Sequence, residues 1–133
     1  MNAWTAYTEP PAPHPFPHAV ANDEWVLVSG TVGIRPDGSC SPEAGEQTRQ
    51  ALENLQAILS EAGSSLSEVV YLKPYVSDRR VIPELDRVVR LILPEPRPAS
   101  AALTVVGLAD ERFLLEFDAW AHRGARIRAH SRP

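Results

Sequence analysis

The chain has 133 residues, of which 44% are hydrophobic and 23% charged, and its formal net charge is -4. This composition is typical of one globular domain and excludes a disordered or fibrous chain. The acidic balance argues against a nucleic-acid surface, which is usually basic. Because no apolar run is long enough to cross a bilayer and no signal peptide is visible, we expect no membrane association and a cytoplasmic location.

A single cysteine, Cys40, excludes an internal disulfide and a cysteine-rich zinc site. His14 and His18 are four residues apart, but the prolines around them prevent the regular helix that would bring them together on a metal. We therefore predict no metal and no cofactor. The basic cluster of Arg123, Arg126, Arg128 and Arg132 lies in a terminal segment, residues 124–133 with Arg123 just before it, that we expect to be a flexible, solvated tail.

The first twenty residues are predicted to form a proline-rich arm, because five prolines between Glu9 and Pro17 remove backbone donors and favour an extended surface path. Residues Glu24–Gly30 form a mostly apolar segment that predicts a strand buried on both faces. A short strand is expected through Val32 and Ile34, before a turn at residues 36–38.

The next element is predicted to be a helix of about twenty residues. Ser41-Pro42-Glu43 is typical of a helix start, and Gly63 is typical of a C-terminal cap. Apolar or small residues recur at steps of three and four and predict one stripe packed on a sheet: Ala44, Thr48, Ala51, Leu52, Leu55, Ile58, Leu59 and Ala62.

The second half of the chain predicts a strand over Val69–Val76, a helix from Pro83 to Pro94, and two strands over Ala101–Val106 and Arg112–Ala121. Pro74 suggests an edge or a bulge in the first of these. The order β-β-α-β-α-β-β predicts a two-layer α+β domain spanning residues 1–133, with two helices on one face of a mixed sheet. The other face needs a partner, for which a homo-oligomer is the simplest choice.

Several segments, in this order, resemble the RidA/YjgF family of imine and enamine deaminases: the strand ending at Ser29-Gly30, the helix around Gln47–Leu55, Ala62-Gly63, the strand Val70–Asp78 and the block Pro98–Ala121. The resemblance implies a chorismate mutase-like fold and a homotrimer whose sheets form a central barrel, with three clefts between subunits. It also implies a small-molecule substrate in each cleft, where water adds to an imine carbon and ammonia is released.

The resemblance assigns the substrate-holding backbone to Ser29 and Gly30, with Thr31 beside them, and the water-orienting carboxylate to Asp118. Glu116 and Asp118 are two apart on a strand, so they share a face, and two carboxylates on one face could give a raised pKa and a general acid or base. The alternative is a solvated or arginine-paired edge. The resemblance favours catalysis for Asp118, and we include Glu116 as a second catalytic candidate.

Four positions depart from the family pattern. Ser100 replaces the arginine that grips a carboxylate, a contact worth on the order of 2–5 kcal/mol. Phe16 replaces an aromatic hydroxyl, Asp86 an asparagine and Ala102 a cysteine. Arg97 is three residues from Ser100, and strand alternation points it away unless the intervening Pro98 bends the path. These changes favour an uncharged or cationic substrate over a 2-imino carboxylate.

Two functions therefore stay open. The chain is either an enzyme acting on a small imine, enamine or carbonyl compound, or a non-catalytic ligand-binding or regulatory module with the same fold. The remaining aromatic residues are interpreted as core or interface packing: Trp4, Trp25, Tyr75 and Trp120.

Overall fold

Six strands form one mixed sheet in the computed structural model, which describes residues 3–133. Along the sheet the order is β1-β2-β3-β6-β4-β5, and all neighbours are antiparallel except the parallel pair β4 and β5. The strands are β1 (Thr5–Tyr7), β2 (Ala19–Ala21), β3 (Trp25–Thr31), β4 (Val69–Val76), β5 (Leu103–Thr104) and β6 (Leu115–His122). The helices are α1 (Ala44–Glu61) and α2 (Ile82–Ile92), with 3-10 turns at Leu66–Glu68 and Arg79–Val81.

The two helices cover one face of this sheet. Alternate residues of β3, β4 and β6 point into the core beneath them and are almost completely buried: Val26, Val28, Leu72, Val76, Phe117 and Ala119. The helices also pack on each other. The predicted two-layer α+β arrangement is confirmed, and the opposite face of the sheet is left open.

The N-terminal segment, predicted to be an extended arm, contains two short strands of the sheet. Residues Thr5–Tyr7 pair with Ala19–Ala21, which in turn pair with β3. The prolines all lie between β1 and β2, where His18 Nε2 lies 2.6 Å from the Pro10 carbonyl. Because the flanking residues retain their N–H groups, they extend the sheet while the proline-rich part crosses the surface.

No strand forms at Val32 and Ile34, where the sequence predicts one; only an isolated bridge joins Ile34 to Cys40. The Asn54 side chain of α1 instead donates from Nδ2 to the carbonyls of Val32 and Ile34, at 2.9 and 2.7 Å. Their backbone acceptors are therefore satisfied by a helix side chain rather than by a neighbouring strand.

Helix α1 begins at Ala44, later than the predicted start at Ser41. Its C-terminal end is as predicted: Gly63 has φ +75°, and the N–H groups of Gly63 and Ser64 donate to Ser60 and Leu59 at 3.0 and 2.8 Å. These two bonds form a Schellman motif, which requires a residue in the left-handed conformation, and glycine adopts that conformation without strain.

Of the two alternatives expected at Pro74, the structure shows an unpaired outer edge of β4 there, and the bulge lies elsewhere. The Leu72 N–H donates to the Ala99 carbonyl at 3.0 Å, on the side of β4 that faces away from β6. Because backbone N–H groups alternate between the two sides of a strand, the Pro74 nitrogen faces the same side. At that level β5 has not yet begun, since its first residue pairs with Tyr75. The missing N–H of Pro74 therefore leaves no partner unpaired. The register shift in β4 instead falls between Val69 and Tyr71.

Strand β6 begins later than predicted because the buried side chain of Gln47 forms hydrogen bonds with the backbone that precedes the strand. Its Nε2 donates to the Ser41 and Arg112 carbonyls, both at 2.7 Å, and its Oε1 accepts from the Leu114 N–H at 2.9 Å. One glutamine thus joins α1 to two loops.

Arg123, which the sequence analysis grouped with the flexible tail, belongs to the folded body. Its guanidinium donates to the carbonyls of Asn22 and Ala62, at 3.0 and 2.8 Å, and so satisfies the C-terminal end of α1. The next residue, Gly124, donates its N–H to the Glu68 carboxylate. Among residues 3–133, no helix is long and apolar enough to span a bilayer.

Candidate functional site

The open face of the sheet carries a group of titratable side chains contributed by β4 and β6. In the register of these strands, Lys73 lies opposite Asp118 and Tyr75 lies opposite Glu116. Because the intervening residues, such as Phe117, are buried under the helices, these four side chains share the face that the helices do not cover.

A β-bulge in β3 lies beside Asp118. The register runs from Val28 opposite Ala119 to Thr31 opposite Phe117, so Ser29 and Gly30 together oppose Asp118. A bulge of this kind bends the strand and redirects its side chains. Ser29 Oγ donates to the Pro17 carbonyl at 2.8 Å, and buried Thr31 donates from Oγ1 to the Ser29 carbonyl at 2.9 Å. The bulge is thereby tied to the proline-rich segment.

The Glu116 side chain lies directly over Gly30. A Cβ atom at position 30 would be 1.6 Å from Glu116 Oε1, so only glycine leaves room for this carboxyl group. Burial raises the pKa of Glu116 above its ordinary value and the Asp118 charge raises it further, while His14 in the proline-rich segment opposes the shift. Glu116 is therefore protonated more easily than an ordinary solvated glutamate.

Asp118 is held by a hydrogen bond that Tyr75 donates to its Oδ2 at 3.0 Å. Burial raises the pKa of the Tyr75 phenol, and the bond to Asp118 raises it further, so the hydroxyl keeps its proton and acts as donor. Lys73 Nζ lies 5.4 Å from the centroid of the Tyr75 ring. Glu116 and Asp118 thus have different surroundings, the situation in which one carboxyl serves as acid and the other as base.

Tyr75 and Lys73 were missed by the sequence analysis, which interpreted Tyr75 as packing and assigned Lys73 no role. The signal was present: Tyr71, Lys73 and Tyr75 alternate along β4 with buried residues and so share one face.

The other predicted site residues lie further from this group within one chain. Phe16 is 66% exposed in the proline-rich segment. Ser100 and Ala102 are exposed beside the outer edge of β4. Asp86 is exposed on α2, in the layer on the opposite side of the sheet from Asp118. A single chain therefore brings together Ser29, Gly30, Glu116 and Asp118, and leaves Phe16, Asp86, Ser100 and Ala102 apart from them. Thr31 belongs to the same bulge, but its side chain is buried opposite Phe117, on the face that the helices cover.

The Arg97 side chain is bound to the end of α2 rather than directed toward Ser100. Its Nε donates to the Leu93 carbonyl at 2.9 Å and its Nη2 to the Arg90 carbonyl at 3.3 Å, and it pairs with Glu95 at 3.2 Å. These bonds hold the guanidinium at the C-terminal end of α2, where a cation is favoured.

The candidate site is an open surface in one chain. A cavity of about 540 Å³ lies elsewhere, between the 3-10 turn at Leu66–Glu68, the Ile92–Pro98 segment and the Gly124–Ile127 segment, and contains neither Glu116 nor Asp118. Within residues 3–133, no group of three or more His, Cys, Asp and Glu side chains is placed to hold a metal ion.

Comparison with known proteins identifies the family. The family model described as endoribonuclease L-PSP matches residues 7–123. The chain belongs to this family, also called RidA/YjgF. It is 33% identical over 115 residues to the protein named 3-aminoacrylate deaminase RutC of Acinetobacter baylyi, covering 85% of this chain and 90% of that protein.

Two further comparisons agree with this assignment. The mitochondrial protein mmf1 of Schizosaccharomyces pombe is 32% identical over 91 residues, and the match covers 68% of this chain and 56% of that longer protein. The crystal structure of RidA from an Antarctic Psychrobacter superposes with a TM-score of 0.81 at 28% identity, covering 92% of this chain and 99% of that one. The expected RidA/YjgF fold is thus confirmed.

Proposed function

We propose that this RidA/YjgF protein is an enzyme that hydrolyses or deaminates a small, reactive imine, enamine or carbonyl compound. The observation that carries the proposal is the pair of carboxyl groups on β6, in which Glu116 is half-buried over Gly30 and Asp118 accepts a hydrogen bond from Tyr75. Two carboxyls in different surroundings supply the acid and the base that addition of water to a C=N bond needs.

In the proposed reaction, Asp118 accepts a proton from water as the water oxygen bonds to the imine carbon. The C=N electron pair moves to nitrogen, which takes the proton of Glu116. Asp118 then returns its proton to nitrogen, and ammonia leaves as the C–N bond breaks. The hydroxyl proton passes to Glu116 as the C=O bond forms, which restores both carboxyl groups. Ser29 and Gly30 would hold a polar group of the substrate at the bulge, and buried Thr31 would support them through its bond to the Ser29 carbonyl.

The substrate differs, in this proposal, from a 2-imino acid anchored by an arginine at position 100. Ser100 offers one neutral hydroxyl in place of a planar fork of charged donors. Phe16, Asp86 and Ala102 would change the shape and polarity of the cleft further.

We further propose a homotrimer, which would place these four residues beside the carboxyl groups of a neighbouring subunit. In support, the open sheet face exposes 53% of Trp120, which packs against Tyr71, and an uncovered aromatic pair favours burial by a partner. The protein would act in the cytoplasm on small molecules, without nucleic-acid partners.

The test is a turnover assay with 2-imino acids generated in situ and with a panel of uncharged imines and carbonyl compounds. We expect 2-imino acids to be poor substrates and Asp118→Asn to lower turnover of the best substrate by about 100-fold or more. Asp23→Asn, at an exposed aspartate, is the matched control and should leave turnover unchanged.

Three outcomes separate the alternatives. Turnover that depends on Asp118 supports the enzyme. Binding of a panel compound without turnover supports the non-catalytic ligand-binding module. Fast turnover of a 2-imino acid, lost in Asp118→Asn, contradicts the importance given to Ser100.

A further inference from the structure

The cavity of about 540 Å³ beside the end of α2 lies apart from the carboxyl groups of Glu116 and Asp118. Its volume is within the range of about 300–1,000 Å³ that is typical of small-molecule pockets. Three segments form it: the 3-10 turn at Leu66–Glu68 with the first residue of β4, the Ile92–Pro98 segment and the Gly124–Ile127 segment. The proposed reaction makes no use of this cavity.

Most of the cavity wall is apolar. Besides three prolines, it contains six aliphatic side chains: Leu66, Val69, Ile92, Leu93, Ala125 and Ile127. Val69 and Leu93 are buried, and Ile127 is half-buried although its segment is neither helix nor strand. A wall of this kind suits the hydrocarbon part of a ligand, because contact removes apolar surface from water on both sides.

The C-terminal segment contributes a cation to the same cavity. Its exposure alternates along the chain, with Ala125 and Ile127 half-buried and Arg126 and Arg128 exposed. Arg126 is part of the cavity wall, whereas Arg128 is not. Because Arg126 is both exposed and part of the wall, it lies at the opening of the cavity.

Both carboxylates of the cavity wall already have partners. The Glu68 carboxylate accepts from Ser64 Oγ at 2.6 Å and from the Gly124 N–H, and these two bonds hold its pKa below the ordinary value. Glu95 forms an ion pair with Arg97 at 3.2 Å. Neither carboxylate therefore needs a further cation.

The Arg126 charge is in excess at this cavity. Arg126 has no ion-pair partner within residues 3–133. The two carboxylates are balanced by Arg97 and by Arg123, whose charge acts on Glu68. A guanidinium without a partner beside an apolar wall favours a ligand with an anionic head, which it can bind through two parallel hydrogen bonds.

We propose that this cavity is a second binding site, for a small amphipathic anion that consists of a carboxylate on an unbranched hydrocarbon chain. The hydrocarbon lies against the aliphatic wall and the carboxylate binds Arg126. The ligand is bound and not converted, and the site is independent of the proposed function. Because Arg126 and Ile127 belong to the C-terminal segment, binding also holds that segment against the end of α2.

The experiment is an NMR titration of the full chain with octanoate, with its neutral amide octanamide, and with hexanoate, which is two CH₂ groups shorter. We expect octanoate to shift the methyl signals of Leu93 and Ile127. It should bind about 10-fold more tightly than octanamide, which lacks the charge, and about 10-fold more tightly than hexanoate, which buries less hydrocarbon.

Three variants separate the head from the chain. Arg126→Gln should weaken octanoate binding about 10-fold and change octanamide binding by less than about twofold. Arg128→Gln is the matched control, since Arg128 is exposed in the same segment but outside the cavity wall, and it should leave both affinities unchanged. Ile127→Ser, at a half-buried position that the core does not depend on, should weaken both ligands by the same factor.

Equal affinities for octanoate and octanamide, or equal losses in Arg126→Gln and Arg128→Gln, would overturn the role of Arg126. Absence of octanoate binding, or shifts confined to the open face of the sheet, would overturn the cavity as the site. These results are separable from the proposed function. Turnover that depends on Asp118 without octanoate binding would reject only this inference, and octanoate binding that depends on Arg126 supports it whether or not any imine is turned over.

Discussion

Replacement of Gln47 by leucine should be strongly destabilising. The side chain is fully buried and bonds three backbone groups, the carbonyls of Ser41 and Arg112 and the N–H of Leu114. Leucine keeps a similar volume but satisfies none of them, and a buried polar group without a partner costs about 1–3 kcal/mol. Because part of this region is near solvent, we expect a loss of roughly 3–5 kcal/mol in the free energy of unfolding.

The measurement is urea unfolding at a fixed protein concentration, since association would make the stability depend on concentration. Gln56→Leu is the control, because within residues 3–133 the Gln56 side chain bonds one backbone group, accepting from the Leu66 N–H at 3.0 Å. Its loss should be about 1 kcal/mol. If Gln47→Leu is no more destabilising than Gln56→Leu, the argument from unsatisfied backbone groups is wrong.

Three further variants examine the site. Gly30→Ala should displace the Glu116 side chain and lower turnover with little loss of stability, because the new Cβ would meet only the end of a flexible side chain. The control Gly33→Ala should destabilise the fold, because its Cβ would lie 2.5 Å from a backbone oxygen of α1. A loss of stability in Gly30→Ala as large as in Gly33→Ala would contradict this. Glu116→Gln should raise the urea midpoint at pH 7 but not near pH 4. The folded-state pKa is raised, so the penalty for ionising Glu116 is absent below the unfolded pKa and grows as pH rises through the folded one; an equal effect at both pH values would refute it. Tyr75→Phe removes the hydrogen bond that holds the Asp118 carboxylate and should lower turnover of the best substrate by about 10-fold; unchanged turnover would mean that the bond does not position the carboxylate.

Much of the fold follows from local patterns in the sequence. The stripe on α1, the left-handed Gly63 and the helix stop before Pro94 are confirmed because each depends on neighbours along the chain. The two short N-terminal strands and the late start of β6 could not be predicted in this way. They depend on pairing with β3 and on the side chain of Gln47, contacts that are distant in sequence.

The residues of the candidate site also divide into those that the sequence predicts and those that depend on contacts distant in sequence. Asp118, Ser29 and Gly30 were predicted from the resemblance, and the sheet register brings them side by side. Tyr75 and Lys73 were missed because their importance comes from the antiparallel pairing of β4 with β6, which spans more than forty residues of sequence. Alternation alone showed which face they occupy but not which partners they meet.

The two outermost strands have a consequence for how copies of this chain can associate. The sheet ends in β1, with three residues, and in β5, with two. Edges this short offer too few free N–H and C=O groups to recruit another strand, which protects the protein against open-ended edge-to-edge growth. A strand of a second copy therefore finds little to pair with at either edge, which leaves the exposed side chains of the open sheet face as the surface for association.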